Sequence, residues 1–193
     1  SYKSIAEAFI HAGASLETEV KLRWIYSGDL NTENINSYFE GVDGVLIAPG
    51  FGDRGIEGKI LASQYAREHK IPLLGICLGM QIITIEFARN VLGFDKANSM
   101  EFDTTTPYPV ISLMEEQKNI VDKGGTMRLG AWKCQLNPKS KIYDIYGSET
   151  IAERHRHRYE FNSDYKDDYE KNGLLPTGIN PETRLVETVE LKN

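Results

Sequence analysis

Two short, continuously apolar runs, each followed at once by a helical pattern, limit what this chain can fold into. Residues 44–48 (GVLIA) and 71–76 (IPLLGI) lack the polar alternation of a half-wet strand, so both read as strands covered on two faces. The first passes through a glycine-rich loop into residues 58–69 (GKILASQYAREH), where Ile60, Leu61 and Tyr65 fall on one helical side. The second passes into residues 80–90, again helical. Strand, helix, strand, helix is the order of a parallel sheet with crossover helices. Upstream, Ile5, Ala8, Phe9 and Ala12 recur at helical spacing, and Gly13 stands where such a helix would stop. Val20, Leu22, Trp24 and Tyr26 alternate with Lys21 and Arg23, which predicts a strand with one wet face and one face in the core. Downstream, residues 108–114, 126–136 and 150–161 read as shorter strands among turns. The expectation is one α/β domain with additional β structure in its second half.

The 193 residues suffice for a core that needs no staples. A net charge of −6 argues against a nucleic-acid binder, because phosphate recognition needs a basic face. No apolar run reaches the length of a membrane span, and no signal-peptide pattern opens the chain. Two cysteines, Cys77 and Cys134, make no disulfide framework; two thiols fit a reducing cytoplasm, and one of them could be reactive.

Cys77 is the candidate. In Leu74-Gly75-Ile76-Cys77-Leu78-Gly79-Met80-Gln81 it stands where a buried strand ends and a helix begins, with a glycine two residues to either side. That arrangement permits the tight turn of a nucleophile elbow, which lifts the side chain clear of the sheet. A helix N-terminus there would favour thiolate, and the backbone N–H after the nucleophile would be free to donate to an oxyanion. A buried structural cysteine is the plainer alternative for a strand end. Cys134, with no such setting, reads as passive packing.

Gly50-Phe51-Gly52-Asp53-Arg54-Gly55 fits the dinucleotide pattern G-x-G-x-x-G, but the next strand runs into Gly75-Ile76-Cys77 without the acid that would hold a ribose. A loop after one strand of a parallel sheet lies beside the loop after its neighbour. A backbone N–H near Gly50 could therefore meet that of Leu78 across a reacting carbonyl.

The elbow GICLGMQ, the loop PGFGDRGIEGK and the stretches ANSMEFD (97–103), GGTMRLG (124–130) and ERHRHRYEFN (153–162) together resemble the C-terminal class I glutaminase domain of the CTP synthases. The resemblance implies a three-layer, flavodoxin-like fold with a mostly parallel central sheet. It implies that Cys77 attacks the side-chain carboxamide of L-glutamine and that Gly50 and Leu78 supply the oxyanion donors. The pocket would then comprise Gly79, Met80 and Gln81, with Glu101 for the α-ammonium and Arg158 for the α-carboxylate. A free amino acid carries one cation and one anion, and a guanidinium suits the latter through its two-pronged geometry. Read without the resemblance, Glu101 is a solvated loop acid and residues 154–159 a charged edge strand with Arg154, Arg156 and Arg158 on one face.

The resemblance also implies a parent enzyme: a cytoplasmic homotetramer whose N-terminal synthase domain, on the same polypeptide, uses ATP and Mg2+ to aminate UTP with the ammonia released here, under activation by GTP. No G-x-x-x-x-G-K-[ST] loop occurs, so neither cofactor nor metal is assigned to any residue of this chain. Three departures stand out. Pro49 occupies a position where the family usually has glycine. The family's first strand precedes the helix that begins near Ser1, and its His-Pro-Glu segment, carrying the general base and its orienting acid, lies beyond Asn193. As written, the chain holds a nucleophile without its base. A non-catalytic interaction module on the same fold, or another class I glutaminase or γ-glutamyl hydrolase, are the alternative readings.

Overall fold

Helix α1 (Tyr2–Ser15) opens the computed structural model, which describes residues 2–113 and 127–192. The helix carries on through Gly13, which is buried, instead of stopping there. A Cβ at Gly13 would stand 2.5 Å from the Thr18 carbonyl oxygen, so the glycine serves the close return of the chain. The strand expected over residues 20–26 does not form. No described strand pairs with that segment, and Val20, Leu22, Trp24 and Tyr26 are 39, 38, 59 and 58 % exposed, so their alternation is not core packing. Instead, the Arg23 guanidinium donates to the carbonyl oxygens of Tyr38 (2.9 Å) and Glu40 (3.0 Å), holding the extended segment beside the end of helix α2 (Ile35–Phe39).

The two apolar runs pair in parallel as β1 (Val45–Ile47) and β2 (Leu73–Gly75), with Val45 opposite Leu73 and Ile47 opposite Gly75. Each feeds its helix: α3 (Ile56–Glu68) after the glycine loop and α4 (Leu78–Asn90) directly after Cys77. The core gathers on α4, where Leu78, Ile82, Ile85, Phe87 and Ala88 are buried with Ile47, Ile56, Ile60, Val110 and Ile111. Ile60 faces this cluster, while Leu61 and Tyr65 turn to a smaller one formed by Ile35, Phe39 and Ala62, so α3 packs on two sides. Glu86, 1 % exposed on α4, is held by the Arg67 guanidinium of α3 (2.7 Å from Nη2 to Oε1) and by the Asn90 amide (3.0 Å). That pairing satisfies a carboxylate whose burial would otherwise be costly.

Among the described residues, the second half is built from two further sheets. Strand β3 (Asn98–Ser99) lies parallel to β4 (Pro109–Leu113). Strands β5 (Arg128–Leu136) and β6 (Thr150–His157) pair antiparallel over eight consecutive residues, from Arg128 opposite His157 to Gln135 opposite Thr150, with α5 (Lys141–Tyr146) between them. The stretch expected as one strand over 150–161 is broken at Arg158, after which β7 (Tyr159–Phe161) pairs antiparallel with β4. Helix α6 (Lys166–Asn172) then leads to β8 (Leu174–Ile179) and β9 (Val186–Leu191), completing a sheet in the order β6-β5-β8-β9. β6 lies at the edge of that sheet, where its charge pattern predicts it. Parallel pairing is confined to β1–β2 and β3–β4 among the described residues, so the central parallel sheet appears as two pairs, not one continuous surface. Met114 and Thr126, expected at strand ends, lie outside the described residues.

Candidate active site

The elbow forms because three backbones converge on it. Ile76 N–H donates to the Ile47 carbonyl (3.1 Å), and Cys77 then takes φ 57° and ψ −110° as the residue that caps α4. A β-carbon-bearing residue in that region costs about 1–3 kcal/mol and persists only where its surroundings enforce it. Here the flanking glycines enforce it by letting neighbours close in. A Cβ at Gly75 would lie 2.5 Å from the Gly79 carbonyl carbon, and one at Gly79 would lie 2.1 Å from the Ile47 carbonyl oxygen. Room, not left-handed geometry, is what both glycines supply, since the positive φ belongs to Cys77 itself.

Cys77 opens into a cleft of about 220 Å³, small enough to suit an amino acid and below the usual range for larger organic ligands. The backbone N–H groups of Leu78 and Gly50 both donate to the thiol, so Pro49 does not turn the Gly50 amide away. Burial pushes the thiol above its ordinary pKa; those two N–H groups draw it back, and the charges of Glu160 and Glu101 push it up again. The thiolate-favouring effect expected of the helix start is therefore outweighed by burial. Cys134, buried under Gly178, is pushed up to about 12, chiefly by burial.

Of the residues singled out from sequence, Gly50, Leu78, Gln81, Glu101 and Arg158 line the cleft with Cys77. Gly79 and Met80 do not: Gly79 sits against Ile47, and Met80 packs on the core. Glu101 follows β3 on a turn anchored by two bonds, its own N–H to Ser99 Oγ (3.1 Å) and Met100 N–H to the Ile111 carbonyl (3.0 Å). Its Oε1 accepts from Gly52 N–H at 3.2 Å, which closes the glycine loop over the cleft. Gln81 donates from Nε2 to the Tyr159 carbonyl at 3.0 Å, tying the nucleophile's helix to the β6–β7 crossing that carries Arg158.

Phe51, Met127, Arg156, His157 and Tyr159 also line the cleft and were not singled out as site residues. Tyr159 and His157 flank Arg158, so their proximity was implicit in that assignment, and Met127 falls within GGTMRLG, a stretch that carried the resemblance without a role for this residue. His157 holds its Nδ1 3.2 Å from His155 Nδ1, and burial, then the neighbouring His155 and Arg128, depress it to about 4. It is a neutral imidazole near pH 7.

Among the described residues, the one place that could suggest a phosphate loop does not form one. Gly58-Lys59, the one glycine–lysine pair in a glycine-rich setting, lies inside α3, where a Cβ at Gly58 would meet the Ser27 carbonyl oxygen at 1.8 Å and no phosphate could be cradled. Among the described residues no group of three or more His, Cys, Asp or Glu side chains is arranged to hold a metal ion, and no helix is long and apolar enough to cross a membrane.

A strand-to-helix elbow bearing a cysteine, two backbone donors on its sulfur, and an acid and an arginine across a small cleft together define a class of protein. The family profile of Glutamine amidotransferase class-I matches residues 1–193, and the chain belongs to that family. Within it the chain is similar to CTP synthases: it is 59% identical over 192 residues to that of Flavobacterium johnsoniae and 60% identical over 193 residues to that of Cytophaga hutchinsonii. Each alignment covers 100% of this chain and 36% of the relative, so the chain spans about a third of their length. A solved structure described as Trypanosoma brucei CTPS, glutaminase domain with bound acivicin, superposes with a TM-score of 0.87 at 34% identity, over 98% of this chain and 73% of that one.

Proposed function

We propose that this chain is the glutaminase domain of a CTP synthase, releasing ammonia from L-glutamine for the amination of UTP to CTP. The observation that carries the reading is the convergence of the Leu78 and Gly50 N–H groups on the Cys77 sulfur, in a cleft that also holds Glu101 and Arg158. The sulfur attacks the carboxamide carbon of glutamine, and the C=O pair moves onto oxygen, where the two N–H groups stabilise the oxyanion. Collapse expels the amide nitrogen as ammonia, with the proton taken from the thiol. Water then cleaves the thioester to glutamate and restores the thiol. Arg158 pairs the α-carboxylate and Glu101 the α-ammonium, so analogues lacking either charge leave a partner unsatisfied.

The proton carrier is assigned to the histidine of the His-Pro-Glu segment that the resemblance places beyond Asn193. His157 already commits Nδ1 to His155. On this reading residues 1–193 form one glutaminase domain joined to a synthase domain of the same polypeptide. ATP and Mg2+ would be used elsewhere on that polypeptide, in a cytoplasmic homotetramer activated by GTP.

The test compares glutamine-dependent with ammonia-dependent CTP formation in the full-length protein. Arg158→Ala and Glu101→Ala should each lower glutamine-dependent kcat/KM by about 2–5 kcal/mol, the cost of stranding one member of a desolvated charge pair. Free ammonia bypasses the cleft. Loss of both activities together would make these residues structural and defeat the assignment.

A further inference from the structure

Behind the cleft lies a buried set of charges that the chemistry above does not use. Arg128, at the start of β5, has 2 % of its side chain exposed. It donates to both carboxylate oxygens of Glu187 on β9, from Nη1 to Oε2 at 3.2 Å and from Nη2 to Oε1, and its Nη1 also reaches Glu160 Oε1 on β7 at 3.5 Å. Glu187 and Glu160 are 5 % and 8 % exposed at their side chains. From β6, His155 places Nε2 3.5 Å from Glu187 Oε2 and shares its Nδ1 with His157. Trp132 covers the guanidinium from the other side, 4.5 Å from ring centroid to Cζ.

The location of this set is what matters. β6 belongs to the four-stranded sheet and β7 to the three-stranded one, and Arg158 is the single residue between them. Arg128 touches the chain on both sides of that residue: it is the ladder partner of His157 and the ion-pair partner of Glu160. The backbone that presents Arg158 and Tyr159 to the cleft is thus held at one side by Arg128 and at the other by Gln81, which bonds the Tyr159 carbonyl. The contacts with Glu160 and with the Tyr159 carbonyl are made by side chains between separate elements, whereas the pairing with His157 belongs to the β5–β6 ladder.

We infer that Arg128 and Glu160 are positioning residues for glutamine recognition, setting the β6–β7 crossing so that Arg158 meets the substrate carboxylate. The inference rests on the glutaminase reading above. A guanidinium clamp works only at near-ideal geometry, so a small shift of the crossing costs affinity before it costs chemistry at sulfur. Glu160 has a second effect: its charge is among those that raise the Cys77 thiol, together with Glu101, while Arg128 and Glu187 are the charges that face Glu160 itself.

The experiment uses the full-length protein with Glu160→Gln, Glu160→Asp and, as a control, Arg154→Gln, an exposed position on β6. Glu160→Gln should raise KM for glutamine at least tenfold with less than a threefold change in kcat. The pH midpoint for iodoacetamide alkylation of Cys77 should also fall in Glu160→Gln while staying in place in Glu160→Asp, whereas general loosening, by exposing the thiol, would lower it in both. Glu160→Asp, which retains the charge, should recover part of the KM, and Arg154→Gln should leave KM where it was. A Glu160→Gln variant with wild-type KM and an unmoved midpoint would overturn the inference. So would loss of ammonia-dependent activity alongside the glutamine-dependent one, which would make the set a stability element. If Glu160→Gln does not fold, a wild-type KM in Arg128→Lys, which keeps the charge but loses the two-pronged contact, overturns it equally. Wild-type protein that consumes no glutamine would instead defeat the glutaminase reading itself.

Discussion

Cys77 and Cys134 differ in everything but their chemistry. Cys77 opens into a cleft with two backbone donors on its sulfur, while Cys134 is 2 % exposed and wedged against Gly178. A glutamine-like electrophile should therefore label Cys77 and not Cys134, with protection by glutamine. Equal labelling in a peptide map would contradict the assignment. Because burial raises the Cys77 thiol, its alkylation by a small neutral reagent should keep rising with pH beyond the ordinary thiol range. The backbone at Cys77 carries a further consequence. Its φ of 57° is unfavourable to any residue with a Cβ, so Cys77→Gly should abolish turnover while stabilising the fold. The net gain should be about 1 kcal/mol, read as a rise of roughly 2–4 °C in Tm. A lower Tm would show that the elbow holds no strain.

At the scale of elements, what the sequence revealed divides by distance along the chain. The elbow, β1, β2, α3 and α4 were legible because each depends on residues a few positions apart, and GICLG states its own turn. The segment from Val20 to Tyr26 was misread because alternation reports a strand-like backbone but not whether another strand is there to pair with it. The break at Arg158 escaped for a related reason: the residues that divide β6 from β7 are partners drawn from β5 and β4, not anything within ERHRHRYEF. Arg128, Glu160 and Glu187 stand 27–59 positions apart and meet only because three strands converge, so no spacing rule could have joined them. Gly79 offers the sharpest test of the element packing. Gly79→Ala would drive a methyl into the Ile47 carbonyl 2.1 Å away, forcing α4 off β1. The expected loss is about 1–3 kcal/mol of stability with a larger fall in activity, since Leu78 carries a cleft donor. Unchanged activity and Tm would mean that the helix can slide freely on the strand.

For the whole molecule, the buried groups around Arg128 set a pH dependence whose sign can be worked out. His155 and His157 are each depressed from 6.5 to about 4, chiefly by burial, so the unfolded chain takes up protons that the folded one refuses. Their contribution is full above pH 6.5 and drains away as pH falls toward 4. Glu160 works in the opposite sense: raised from 4.5 to about 7 by burial, it favours the folded state at low pH and loses that contribution as pH rises through the same interval. Two imidazoles against one carboxyl leave a net loss of stability on acidification from pH 6.5 to 4. Urea midpoints at pH 7 and pH 5 should show it, and His157→Phe should flatten the slope. A midpoint that rises at pH 5 would mean that Glu160 dominates.

The eight-pair ladder between β5 and β6 has a consequence for heredity. Side chains alternate faces along a strand, so adding or deleting one codon anywhere in 150–157 would invert every residue between the change and the crossing, whatever amino acid it encoded. His155 and His157 would swap outward, and Arg158 would arrive at the seam one residue early or late. The connection over 137–149, which carries Ile145 at 80 % exposure, is under no such arithmetic. Length variation among descendants of this gene should collect there, while the stretch that ends in Arg158 can change its letters but not its count.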